Sequence, residues 1–349
     1  MRPSDTLGDL PRFSLPHLSR SLSKWRVFLD FVRPFTLLPP LLGVVSGAVT
    51  AFGSVHNPDP SRRFSVSVLA TIALGSLCAA MLNAASNGIN QVHDLEIDRK
   101  NKPGRPLVTG ALSLAEGWWF SAVLYALAIL PTWLVVVYPY SRFLEKLGAP
   151  LARHECFFIY IAGMILTLVY SVPAFGRTKR NGIWANFTIA VPRGCLLKVA
   201  GWSMVAGVLH LEPWFIGFIF FLFLLGASTT KDFSDMEGDR ANGCITLPIR
   251  HGVRRAARII TPFFVLPWIL MPLGAHLRDP FHPAHRILSG NAAVLTGMGV
   301  ILTLWGIFTS YLIIRRPEDL ATTENHPSWT HMYLMMMFAQ VGFAVAYLV

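Results

Sequence analysis

Charge is what this chain has least of. Only 14% of its 349 residues are Asp, Glu, Lys or Arg, while 53% are hydrophobic. A soluble domain carries about a quarter charged residues. The length would permit two or three soluble domains, but the composition favours a single integral membrane domain. Cysteine is sparse too. Cys78, Cys156, Cys195 and Cys244 lie far apart, and no C-x-x-C pair exists. That excludes a thiolate zinc site of the usual spacing and a thioredoxin-like redox centre, leaving packing as the expected role. The first 30 residues are polar, contain Pro3, Pro11 and Pro16, and lack the apolar core of a signal peptide. They read as a cytoplasmic tail (1–30), with an interfacial helix expected at Trp25 to Val32, ahead of a membrane domain over 31–349.

What the chain does have is apolar runs. Nine reach roughly the ~20 residues that cross a bilayer: 35–53, 66–89, 115–137, 156–174, 183–207, 212–230, 258–276, 291–313 and 330–348. The expected fold class is therefore all-α, a polytopic protein with nine transmembrane helices around a central cavity. The net charge of +11 raises the question of nucleic acid, but the cations lie in the loops between apolar runs rather than on a polar face. No nucleic-acid partner is expected; membrane lipids are the surroundings. With the N-terminus inside, 21 Lys and Arg fall on the cytoplasmic side. Seven fall opposite (Arg62, Arg63, Arg142, Lys146, Arg153, Arg278 and Arg286), and Arg193 and Lys198 lie within the fifth run. That threefold bias predicts an N-in, C-out chain.

Acidic residues number only 19, yet seven fall in two short stretches, Asn90-Gln91-Val92-His93-Asp94-Leu95-Glu96-Ile97-Asp98 and Lys231-Asp232-Phe233-Ser234-Asp235-Met236-Glu237-Gly238-Asp239. Each follows an apolar run, and the charge bias puts both at the cytoplasmic surface. Carboxylates at the ends of membrane helices are costly without a partner. Asn90, Asp94 and Asp98 are spaced by four, so on a helix they drift only ~40° per step and share a face. Asp235 and Asp239 repeat the spacing, with Asp232 one turn earlier. A lone D-x-x-x-D is usually a solvated face. Two of them, each at a span end and each followed by cations, make a clamp for Mg2+ and a diphosphate. Arg99, Lys102 and Arg105, then Arg177, Lys179 and Arg180, then Lys231 and Arg240, supply the positive charge that phosphate oxygens need; the competing reading is that they only set topology. Arg193 and Lys198 are candidates for ligand contact or for pairing with a motif acid. Trp118, Trp119, Tyr125, Tyr170, Trp184, Phe187 and Trp202 could line an apolar cavity and stabilise a carbocation, though most such residues are packing or interfacial belt.

These motifs resemble those of the UbiA superfamily of intramembrane prenyltransferases. Asn90 through Asp98 with Asn101-Lys102-Pro103-Gly104-Arg105-Pro106-Leu107 and Gly110 is similar to its first Asp-rich motif. Lys231 through Arg240 with Thr246-Leu247-Pro248 is similar to its second. Tyr170-Ser171-Val172-Pro173 with Arg177 to Arg180, and Arg193-Gly194, resemble further family segments, so that the likeness covers roughly residues 25 to 349. Asn90-Gln91 is more like the homogentisate branch, whereas Arg105-Pro106 looks more like chlorophyll synthase or the lipid-ether branch.

The resemblance implies an enzyme that uses Mg2+ to transfer a polyprenyl group from a prenyl diphosphate. The acceptor would be aromatic, a quinone precursor such as homogentisate or a hydroxybenzoate, or else a lipid. It implies Asp94, Asp98, Asp235 and Asp239 as catalytic metal ligands. Asn90, Arg99, Lys102, Arg105, Tyr170, Arg177, Lys179, Arg193, Lys231 and Asp232 are the substrate-binding candidates. A lipid-ether or chlorophyll-type transferase and a terpene cyclase remain alternatives. A transporter is disfavoured, because it would place its acids near the bilayer midplane.

Overall fold

A computed structural model describes residues 16–136, 140, 142–323 and 326–349, with side chains described from residue 24. Residues 1–15 of the expected tail and residue 137, the end of the third expected span, lie outside the described residues. Those described form helices, with no β-strand among them, only isolated bridges at Asn181–Ile245 and Arg278–Arg286.

In chain order the helices are α1 (Pro16–Val32), α2 (Leu38–Gly53), α3 (Val66–His93), α4 (Leu95–Asn101), α5 (Leu114–Ile129), α6 (Phe143–Leu147), α7 (Glu155–Ser171), α8 (Gly182–Ala190) and α9 (Leu197–Trp202). They continue as α10 (Leu211–Ala227), α11 (Met236–Ala241), α12 (Leu247–His251), α13 (Val253–Ile260), α14 (Pro262–His276), α15 (Ala292–Arg315), α16 (Asp319–Thr322) and α17 (Pro327–Leu348). Local chemistry sets many boundaries. Ser65 caps α3 through Val68 N–H, and Ser113 with Glu116 closes a capping box on α5. Prolines open α2, α14 and α17, where a missing N–H costs nothing.

Among the described residues seven helical stretches are long and apolar enough to cross a membrane. Two of the nine expected spans depart from that pattern. The fourth is α7, only 17 residues. The fifth is broken into α8, a π-helical turn at Val191–Leu196, and α9. Pro192 accounts for the break: it has no N–H for the regular ladder, and the wider turn absorbs the defect. Large side chains such as Leu69, Leu127, Ile165, Leu266 and Ile301 are exposed on the outer surface. A surface of that kind is stable in lipid, so the protein is an integral membrane protein.

The core lies among α10, α14 and α17, where Trp268, Phe220, Phe223, Phe264 and Phe343 are fully buried. At α2 and α9 the backbones almost touch. A Cβ on Gly47 would lie 2.6 Å from Lys198 O, and one on Gly201 would lie 2.2 Å from Val44 O. Small residues permit such approach where lipid gives no hydrophobic drive for helix association.

Candidate active site

The two acidic segments come together at one end of the helical assembly. Each follows a spanning helix, and each leading aspartate sits at the junction with a short helix. Asp94, between α3 and α4, has φ −105° and ψ 13°; Asp235, before α11, has φ −96° and ψ 3°. Both occupy the sparsely allowed bridge region, so the chain turns at the carboxylate rather than running on as one long helix. The two short helices meet at Gly238, where a Cβ would lie 2.1 Å from Asn101 Oδ1. Asn101 Nδ2 also reaches Asp235 O at 3.4 Å. The loop after α7 is tied to the same place. Ile245 N–H donates to Arg180 O, and Gly182 N–H donates to Ile245 O, both at 2.8 Å. That tie carries Lys179 across to the first acidic segment.

Three of the four lead acids are engaged by cations. Buried Asp94 accepts from Arg177 Nη2 at 2.9 Å and from Lys179 Nζ. Asp98 pairs with Arg105, and Asp235 lies 3.4 Å from Lys102 Nζ. Burial pushes the Asp98 carboxyl up against the opposing pull of Arg105. Burial also raises Asp239 to about 6; Lys179 resists the shift, while Asp235 and Asp94 add to it. Asp232 is driven up by burial and then by Asp239 and Asp235. Burial thus disfavours the charged carboxylates more than the protein's own cations relieve, and a further cation would be favoured among them.

A cavity of about 370 Å³ opens from this cluster into the helices. Its polar end is lined by Asn90, Asp94, Asp98, Lys102, Arg105, Tyr170, Lys179, Arg193, Lys231, Asp232, Asp235 and Asp239, all named from the sequence. Arg177 reaches the same cluster through Asp94. Arg99 does not join it. Asp98 faces inward, and the next residue on a helix is turned by about 100°. Arg99 is accordingly exposed and pairs with Glu96 at 2.8 Å.

Lys198 is neither a cavity residue nor the partner of a motif acid. Its buried ammonium donates to Ser46 Oγ at 2.8 Å and lies 4.5 Å from the centre of the Phe220 ring. Of the seven candidate aromatics only Tyr170 lines the cavity. Trp118, Trp119, Trp184 and Phe187 are exposed, Trp202 is buried elsewhere, and Tyr125 bonds Thr167.

The cavity also holds residues that sequence reasoning missed: Arg33, Asn83, Asn87, Trp329, Tyr333 and Gln340. Arg33 has φ 58° and ψ 70°, a left-handed conformation that costs an L-residue free energy. Polar side chains of α3 hold its neighbours there. Gln91 Nε2 donates to Phe31 O at 2.7 Å, and Asn87 Nδ2 to Val32 O at 3.0 Å. The amides at 83, 87 and 91, spaced by four in an apolar run, were the available signal. Beside the cavity a second depression of about 500 Å³ shares Arg33, Lys102, Arg105, Lys231 and Trp329 with it, and adds Asp30, Gln91 and Ser234. A carboxylate-rich face, a basic face and an apolar interior therefore converge. Such a site can take a metal-bound polyanion with a hydrocarbon tail.

Comparison with known proteins agrees. A protein from Oryza sativa subsp. japonica, "Probable homogentisate phytyltransferase 2, chloroplastic", is 30% identical over 306 residues, covering 82% of this chain and 72% of that one. A digeranylgeranylglyceryl phosphate synthase from Thermococcus kodakarensis is 28% identical over 334 residues, covering 93% and 99%. The structure of a UbiA homologue from Archaeoglobus fulgidus bound to GPP and Mg2+ shares the fold with a TM-score of 0.59 at 20% identity, covering 91% and 99%. The UbiA prenyltransferase family itself matches residues 37–337, which include both acidic segments and most of the cavity lining; this chain belongs to that family and is a prenyltransferase.

Proposed function

We propose that the protein transfers the prenyl group of a prenyl diphosphate to an anionic, electron-rich acceptor. The aromatic ring of a quinone precursor such as homogentisate or a hydroxybenzoate is the favoured acceptor. One observation carries this reading: both acidic segments face a single cavity whose far end is apolar. The oxygen-only donors Asp94, Asp98, Asp235 and Asp239, with Asn90 beside them, fit Mg2+. Among the described residues no three His, Cys, Asp or Glu side chains form a metal site by themselves. Mg2+ takes one or two carboxylates and completes its shell with water and phosphate oxygens. The relative bound to GPP and Mg2+ supports the same pairing. When bound, the metal neutralises charge on the departing diphosphate.

The chain's own residues do the rest. Lys179, Arg177, Arg105 and Lys102, now held by acids, turn to phosphate oxygens as those acids are taken up. Lys231 and Arg193 add positive charge where the diphosphate carries its negative charge, and Tyr170, Asp232 and Asn90 shape the polar end. The apolar interior keeps water from the electron-poor allylic carbon until the acceptor attacks; the C–O bond to diphosphate breaks, the bond to the acceptor forms, and the acceptor releases the proton that the prenyl group replaces.

The basic depression at Arg33, Lys102, Arg105 and Lys231 is the acceptor's entrance, so an acceptor carrying a carboxylate or phosphate is preferred. A glyceryl phosphate acceptor is the second reading; it is favoured by the same depression, by Arg105-Pro106 and by the archaeal relative's name. We further propose that α7 and the broken segment 182–202 also cross the membrane, making nine crossings. The N-terminus and both acidic segments then face the cytoplasm, as the charge bias favours.

The test is mass spectrometry of products from purified protein supplied with prenyl diphosphates, Mg2+ and a panel of aromatic acids and glyceryl phosphates. Prenylated aromatic acid is expected, and EDTA should abolish it. Product formed equally well in chelator, or from uncharged acceptors alone, would overturn the proposal.

A further inference from the structure

The apolar end of the cavity contains a polar anomaly. Along α17 the lining residues are Trp329, Met332, Tyr333, Met336 and Gln340, a spacing that keeps them on one helical face. Trp329 stands at the mouth beside Arg33 and Lys231, where both depressions meet. Gln340 lies eleven residues further along the helix, about 16 Å deeper. It is buried to 93%, and its Oε1 has no hydrogen-bond partner. The surroundings are tight: a Cβ on Gly43 of α2 would lie 3.5 Å from Gln340 Nε2 and 3.6 Å from Leu197 Cβ. α2, α17 and the start of α9 therefore converge around this side chain. The backbone is fixed independently, since Ser46 Oγ donates to Gln340 O and in turn accepts from Lys198 Nζ.

A buried carboxamide oxygen without a partner is served by cavity water or not at all. A hydrocarbon chain reaching it must strip that water and offers no hydrogen bond in return, which is unfavourable. A chain that stops short leaves the amide solvated. Resting on the prenyl-diphosphate reading above, we propose that Gln340 is a polar stop that sets the longest prenyl chain the cavity accepts. It would act on specificity alone: it lies about three helical turns from the mouth and touches none of the acids.

The experiment compares wild-type protein with Gln340→Leu, an apolar replacement of similar size that leaves the Ser46 bond to the backbone intact. Both are purified as full chains in lipid nanodiscs. Relative kcat/KM is measured for geranyl, farnesyl and geranylgeranyl diphosphate with one aromatic acceptor. In parallel, Mg2+-dependent binding of the corresponding unreactive thiolodiphosphates is measured by calorimetry. Gln340→Leu should raise the preference for geranylgeranyl over geranyl by about tenfold, in kcat/KM and in affinity, the factor expected for relieving one unsatisfied polar group. The geranyl values should change less than about twofold. Gln340→Glu should move the preference the other way.

An unchanged chain-length preference in Gln340→Leu, with turnover intact, would overturn this inference and leave the prenyl-transfer reading standing. Binding without turnover would still test the inference, through the affinity ratio, while counting against the chosen acceptor. No binding of any thiolodiphosphate would overturn both readings together.

Discussion

Lys179 gives the sharpest test of how the site is wired. Its ammonium is buried and paired with Asp94, which also holds Arg177 at 2.9 Å. If the diphosphate takes over this lysine, removing it has two opposed effects. The charge-assisted contact to phosphate is lost, worth ~1.5–3 kcal/mol, or roughly 10- to 150-fold in apparent KM for the prenyl diphosphate. Asp94 meanwhile loses one competitor for a divalent ion, so the Mg2+ concentration giving half-maximal rate should fall. Lys179→Met is the suitable variant, because it keeps the aliphatic volume in a buried place. The assay is a grid of initial rates over prenyl diphosphate and Mg2+ at saturating acceptor, with a melting curve as the check on folding. KM for the acceptor should change little. An unaltered KM for prenyl diphosphate with an unaltered kcat would show that Lys179 only braces the loop and would refute the reasoning.

Asp94→Ala and Asp235→Ala should both nearly abolish turnover but differ in stability. The first strands two cations beside a buried position, which costs about 3–5 kcal/mol, whereas the second breaks a partly exposed pair with Lys102 worth at most about 1 kcal/mol; melting temperatures with activity assays separate them. Cysteines introduced near Lys102 and Arg240 should label from the cytoplasmic side and one near Pro280 from the other, and opposite labelling of the first two would refute a shared site. At the face remote from the acids, His56 stacks on His210 with ring centroids 3.9 Å apart. Burial, then His210, His285 and His282, lowers the His56 imidazole to about 4. A folded value below the unfolded 6.5 means the stabilisation is complete above pH 6.5 and lost as pH falls towards 4. His56→Asn should therefore flatten the loss of thermal stability between pH 6.5 and 4, and an unchanged slope would refute that assignment.

Much of this protein was legible in one dimension, for physical reasons. A bilayer demands long apolar helices, so α2, α3, α10, α15 and α17 could be located by composition alone. Carboxylates are so costly near lipid that two clusters of them could hardly be incidental. Their spacing, and the cations that follow, pointed to most of the charged residues now found around one cavity. The sequence itself determined the membrane class, the helical content and the identity of both acidic segments.

Only the tertiary structure decided which side chains share a space. Arg99 and Asp98 are neighbours in sequence but face different surroundings, one exposed and one buried, because each helical residue turns by about 100°. Trp118, Trp119, Trp184 and Phe187 look like cavity aromatics in a string of letters, yet they are exposed on the outer surface. Lys198 meets a serine and a phenyl ring rather than an acid. Arg33 enters the site because Asn87 and Gln91, some 55 and 60 positions away from the carbonyls they hold, secure the backbone just before its left-handed turn. Gln340 becomes notable only when its missing partner can be seen. Such facts depend on contacts between residues far apart in sequence, and no local spacing encodes which helix faces another across a cavity.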